Sequence, residues 1–185
     1  MLSLCADKVA CMNGATQSAV IVTVPSAEVA VAQHRAQLDW SAGRGVPAHV
    51  TVLYPFVEPS GIDAHVIETL AAAIASVPSF QASCEATGWF GTDVLWLDPQ
   101  PADRFRALTA AVAMAFPDYP LYGGEYDEVT PHLTVGDSAE IGQLRDAEKQ
   151  VLAHLPIRMT VARAALWCGT DAPGSWRQKA VFPLG

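Results

Sequence analysis

Apolar positions along the chain fall into two rhythms, alternation every second residue and recurrence every three or four. Residues 18–25 (Ser-Ala-Val-Ile-Val-Thr-Val-Pro) are rich in β-branched side chains and end in proline, which predicts a buried strand. Ser26 then stands in capping position for a helix to about Asp39, with Glu28 in its first turn. A loop with Gly43, Gly45 and Pro47 leads to a strand over 49–56 that Pro55 ends. Pro59 and Ser60 open a second helix, whose stripe is Ile62, Val66, Ile67, Leu70 and Ile74 and whose stop is Pro78. Phe80, Ala82, Cys84 and Ala86 alternate again, a bend falls at 88–91, and 94–97 returns, so 80–97 reads as a hairpin.

The second half repeats the grammar. Pro101 opens a helix with Phe105, Leu108, Val112 and Phe116 inward, and Pro117 and Pro120 close it. A glycine-rich loop over 121–128 leads to a strand at 132–135. Ser138 is then placed to cap a fourth helix that turns Ile141, Leu144, Val151 and Leu155 inward. Strands over 157–168 and 176–182 finish the chain. The order β-α-β-α-β-β-α-β-α-β-β mixes helices with hairpin-paired strands. This predicts an α+β fold rather than a doubly wound parallel sheet, with two lobes related by a pseudo-twofold axis.

One local pattern occurs twice: Pro47-Ala48-His49-Val50-Thr51-Val52 and Thr130-Pro131-His132-Leu133-Thr134-Val135. On a strand, His and Thr two residues apart share a face, roughly 6.5 Å apart, while Val50, Val52, Leu133 and Val135 face the other way. With 5 histidines and 11 threonines, roughly 3–4 per cent of shuffled chains would place threonine two after histidine twice, so the pair carries information that one copy would not. Two imidazoles can serve as one base and one acid near neutrality, and two hydroxyls can donate to the non-bridging oxygens of a phosphate held between them. The residue types leave open which histidine takes which role. His34, His65 and His154 have ordinary readings as helix-surface residues, and Tyr54, Phe56 and Trp96 read as packing. Tyr122 and Tyr126, in the glycine-rich loop, are the better candidates to face a ligand, and Arg44, Arg177 or Lys179 are candidate phosphate contacts.

Composition narrows the ligand. The chain has 185 residues, 51% of them hydrophobic and 16% charged, enough length for one domain with a sizeable core. A net charge of −8 argues against long nucleic acid and for a small nucleotide or an RNA terminus. The 4 cysteines (Cys5, Cys11, Cys84, Cys168) show no C-x-x-C pair and read as reduced thiols, consistent with a cytoplasmic protein. No metal-ligand spacing such as H-E-x-x-H occurs, and no cofactor is implied. No apolar run approaches a membrane span. Residues 1–17 read as a disordered extension, with Met12 an alternative start, ahead of a single domain over 18–185 that is expected to be monomeric.

The two motifs, Ala48-His49-Val50-Thr51-Val52 and Pro131-His132-Leu133-Thr134-Val135, resemble the paired H-x-T-x signatures of the 2H phosphoesterase superfamily, in particular its 2′-5′ RNA ligase-like members. The resemblance extends over about 18–184. It implies a bilobal fold in which two antiparallel sheets flank a central cleft with helices outside. It also implies metal-independent hydrolysis of a cyclic phosphodiester or a 2′-5′ linkage. It assigns His49 and His132 as the acid–base pair and Thr51 and Thr134 as phosphate ligands. Some relatives carry an arginine shortly after the second motif, where this chain has Gly136-Asp137, and the departure weighs against RNA-sized substrates and ligation. Two other readings are a nucleotide-binding module without turnover and a relative of the fold recruited to non-phosphate chemistry.

Overall fold

A computed structural model describes residues 14–124, 130–137 and 139–185. The strands form two antiparallel sheets of four. The first contains β1 (Gln17–Thr23), β2 (His49–Leu53), β7 (Arg163–Gly169) and β8 (Arg177–Pro183), in the order β2-β1-β7-β8. The second contains β3 (Phe80–Phe90), β4 (Val94–Gln100), β5 (Leu133–Asp137) and β6 (Ile157–Val161), in the order β5-β4-β3-β6. Among the described residues five α-helices accompany the sheets: α1 (Glu28–Leu38), the single turn α2 (Trp40–Gly43), α3 (Ala64–Ala75), α4 (Ala102–Ala115) and α5 (Ile141–Leu152). The α+β expectation holds.

The units β1-α1-β2 and β4-α4-β5 repeat one another. Each motif strand is the edge strand of its sheet, and the helices cross over: α1 packs on β5 and α4 on β2. This exchange brings the two edge strands against one another at the centre of the molecule. Their register is fixed by alternation. Val50, Val52, Leu133 and Val135 are each at most 2% exposed, so the intervening His49, Thr51 and Thr134 must face away from the core. A slip of one residue would drive His49 and Thr51 into the apolar layer and expose two valines.

Several boundaries differ from the sequence reading for identifiable reasons. β1 begins at Gln17, the amide of Thr16 donates to Gly169 O at 2.9 Å, and Ala15 packs on the core. The ordered chain therefore starts before residue 18, and the rest of the expected extension, 1–13, lies outside the described residues. Ser26 does not cap α1. A 3-10 turn over Pro25–Ala27 precedes the helix, and Glu28 instead accepts the amide of Ala48 at 2.7 Å. The second helix starts later than Pro59, because Asp63 accepts the amide of Val66 at 2.9 Å and so caps α3. Ile141, expected inward on α5, is 39% exposed at its first position, and the expected Ser138 cap lies outside the described residues. The run 157–168 is two strands, not one. Only Ala162 separates β6, paired to β3, from β7, paired to β1, so the chain changes sheets within one residue.

The hairpin bend spans 91–93 rather than 88–91. Gly88 is inside β3 because the Trp96 indole lies across it. A Cβ there would meet the ring at 2.3 Å. Gly169 has the same relation to Trp176, whose Cγ would lie 2.4 Å from an added Cβ. Gly169→Ala is expected to displace that indole and lower stability by about 1–3 kcal/mol, read as a lower midpoint in urea. An unchanged midpoint would show that the ring moves at no cost. No helix among the described residues is long and apolar enough to cross a membrane.

Candidate active site

The two motif strands deliver their side chains to one cleft of about 270 Å³. His49 and Thr51 enter from β2, and Thr134 and Asp137 from β5, with His132 just before that strand. Asp39, Trp40 and Ser41 form one rim, and Tyr122 reaches in from the loop that precedes the second motif. The remaining wall, from the first sheet and its loops, is apolar and aromatic: Ala19, Ile21, Val46, Tyr54, Trp167 and Trp176.

The histidines are held alike. His49 Nδ1 lies 2.7 Å from Pro47 O, and His132 Nδ1 lies 2.8 Å from Thr130 O. A carbonyl only accepts, so each Nδ1 carries the proton, and in the neutral ring each Nε2 keeps its lone pair. The residue two before each histidine thus sets the tautomer, with a proline next to the bond in both copies. Burial pushes the pKa of both imidazoles down. For His49 the cost of desolvation comes first and the nearby Arg35 guanidinium adds to it, taking the group to about 4 against the opposing pull of the Pro47 carbonyl and Asp39. Burial lowers His132 while its bond to Thr130 opposes the shift.

Aromatic rings fix the His132 side. Its ring meets Phe90 edge-on at 5.0 Å, Trp96 at 6.3 Å, and lies nearly parallel to Tyr122 at 6.5 Å. Tyr122 has a left-handed backbone (φ 50°), a conformation that costs a non-glycine residue roughly 1–2 kcal/mol. Its amide donates to Tyr54 O at 2.7 Å, which ties this loop to the end of the first motif strand. The His49 side is fixed by a buried ionic network. Arg35, 2% exposed, and Asp39, 6% exposed, pair at 2.9 Å, and Ser41 donates to Asp39 through its amide at 2.8 Å and its hydroxyl at 2.9 Å.

Of the residues singled out from the sequence, the fold brings His49, His132, Thr51, Thr134 and Tyr122 together, while Tyr126 lies outside the described residues. Arg44 and Arg177 do not line the cleft. Arg44 stacks on the Trp40 ring at 4.1 Å and pairs with Asp171 at 2.9 Å, and Arg177 donates to Gly174 O and Trp176 O at 2.6 and 2.7 Å. Tyr54, read as packing, is a cleft wall whose hydroxyl donates to Gln17 at 3.0 Å. Sequence reasoning missed Arg35, Asp39 and Trp40. The four-residue spacing of Arg35 and Asp39 at a helix end signals a pair, but nothing in it signals burial. The two thiols described, Cys84 and Cys168, are buried, and burial pushes Cys84 up to about 12.

The paired His-x-Thr runs lie at the edges of the two sheets and open into one cleft. The model of the 2′-5′ RNA ligase superfamily matches residues 23–171, well over half the chain, and the protein belongs to that family, within the 2H phosphoesterases. No curated protein matches the sequence. Solved structures do match. Escherichia coli LigT complexed with 3′-AMP superposes with a TM-score of 0.60 at 18% identity, covering 92% of this chain and 98% of that one. The protein TT0787 of Thermus thermophilus superposes with a TM-score of 0.57 at 15% identity, covering 90% and 97%. A structure described as a phosphoesterase gives 0.53 at 17% identity, covering 92% and 98%. At these identities the likeness is one of fold.

Proposed function

We propose that the protein is a metal-independent phosphodiesterase that hydrolyses a cyclic phosphodiester, a 2′,3′-cyclic nucleotide or RNA terminus, or a 2′-5′ linkage, by acid–base catalysis between His49 and His132. The observation that carries this reading is the duplicated imidazole: two rings in one cleft, each with Nδ1 on a carbonyl two residues back and a threonine hydroxyl two residues on. The LigT complex with 3′-AMP supports a ligand of nucleotide size.

Arg35 beside His49 opposes a positive charge there, so His132 is the ring that takes a proton when a phosphate monoanion enters. His49 Nε2 then removes a proton from water as its oxygen attacks phosphorus. The bond from phosphorus to the leaving oxygen breaks, that oxygen takes the proton from His132 Nε2, and a phosphomonoester results. The reaction leaves His49 charged and His132 neutral, and exchange with solvent restores both. The Thr51 and Thr134 hydroxyls donate to the non-bridging oxygens throughout.

The test is hydrolysis of a panel of 2′,3′-cyclic nucleotides with and without chelator, across pH. In the free enzyme the base must be neutral and the acid protonated. The kcat/KM profile therefore rises through the depressed pKa of one ring, about 4 for His49, and falls through the other, which lies below 6.5 for His132. An optimum on the acid side of neutrality is expected, unaffected by chelator. An optimum above pH 8, or loss of turnover with chelator, would overturn the mechanism, and binding without turnover would select the nucleotide-binding module.

A further inference from the structure

The charge lining this cleft is unusual for a phosphate site. Asp39 and Asp137 both line it, and among the described residues no lysine or arginine does. The arginines close by are engaged elsewhere: Arg35 with Asp39, Arg44 with Trp40 and Asp171, and Arg177 with the carbonyls of its own turn. Asp137 belongs to β5, three residues beyond Thr134, and its Oδ2 accepts from the Trp40 indole N–H at 3.2 Å. That bond holds the carboxylate at the cleft rim between the two lobes. Tyr54, Trp167 and Trp176, which line the same cleft, offer apolar faces on which a flat uncharged group can rest.

We infer that the cleft selects by charge, with Asp137 as the specificity-determining residue. Its substrate is a phosphodiester whose reacting phosphate is its only negative charge, attached to a flat uncharged body, which narrows the reading to small nucleotides and away from RNA termini, and a second phosphate on the same molecule is rejected. The inference rests on the phosphodiesterase reading and deepens it. Threonine hydroxyls and a protonated imidazole hold one negative charge between the motifs. A second phosphate in so small a cleft lies within reach of the Asp137 carboxylate, where two like charges in a partly dry site repel strongly enough to cost about 10- to 50-fold in affinity.

Adenosine 2′,3′-cyclic monophosphate and its 5′-phosphorylated form test this, with kcat/KM from turnover and Kd from the tryptophan fluorescence of the cleft. The singly charged compound is expected to be favoured at least 10-fold in both measures, and less so in high salt. Asp137→Asn removes the charge while its amide oxygen still accepts from Trp40. It is expected to raise binding and turnover of the 5′-phosphorylated compound about 5- to 10-fold relative to the other. A ratio near one in the parent protein, or a ratio unchanged in Asp137→Asn, overturns the inference even if both compounds are hydrolysed. Failure to hydrolyse either compound while the Kd ratio persists overturns the phosphodiesterase reading and leaves charge selection standing. Failure to bind either overturns both.

Discussion

Replacing either histidine with alanine is expected to lower kcat on the best cyclic phosphodiester by about 10²–10⁴, the usual contribution of one positioned acid or base. The two substitutions should not add, because a cleft that has lost one proton-transfer partner has little left for the other to assist. Alanine also leaves the carbonyl of Pro47 or Thr130 without its donor, at 2.7 and 2.8 Å in the parent protein, at a cost of about 0.5–1.5 kcal/mol, since water can reach these part-buried and exposed groups. Asparagine keeps a donor near Nδ1 and loses Nε2, so His49→Asn and His132→Asn separate folding from chemistry. The roles are separable too. A phosphodiester with a nitrophenyl leaving group needs no acid, so it should restore much of the rate to His132→Asn and little to His49→Asn. Equal rescue of both would refute the assignment, and full activity in either asparagine variant would refute acid–base catalysis by the pair.

The histidines could be read from the sequence because a strand's period of two is short and local. Once Val50, Val52, Leu133 and Val135 are recognised as core, the direction of His49, Thr51 and Thr134 follows without any tertiary information. The duplication of the motif then implies the lobes and the shared groove. What stayed hidden depends on contacts between distant segments. Ala162 looks like any residue of a continuous strand, and only the pairing of its neighbours with β3 on one side and β1 on the other shows the change of sheet. Glycine is ambiguous in the same way. Gly88 reads as a bend until the Trp96 ring is seen across it. Arg44 and Arg177 were reasonable phosphate contacts by type, but a long cationic side chain goes where partners are nearest, here Trp40 and Asp171 for one and two carbonyls for the other. Arg35 was least legible of all, since a charged residue on a helix is ordinarily solvated.

That buried arginine is behind the largest stability effect expected. Asp39→Ala strips Arg35 of its carboxylate at 2.9 Å and leaves a guanidinium 2% exposed with Val46 O and the Ser41 hydroxyl as its remaining partners. Breaking a buried pair from one side costs about 3–5 kcal/mol, whereas replacing both partners with apolar groups recovers much of it. A fall in Tm on the order of 10 °C is therefore expected for Asp39→Ala, largely reversed by adding Arg35→Met. The two charges also act oppositely on His49: Arg35 lowers its pKa and Asp39 raises it. Arg35→Met should thus move the His49 titration upward, and Asp39→Asn should move it further down, both visible by NMR. The acidic limb of kcat/KM should follow each shift, because that limb requires a neutral ring. Shifts in the same direction would mean that the substitutions act by rearranging the helix end and not through their charges. A Tm change under about 2 °C for Asp39→Ala would mean that water already reaches the pair. Opposite shifts with a large stability loss would show one buried pair both holding the rim that carries Trp40 and setting the proton affinity of the ring beside it.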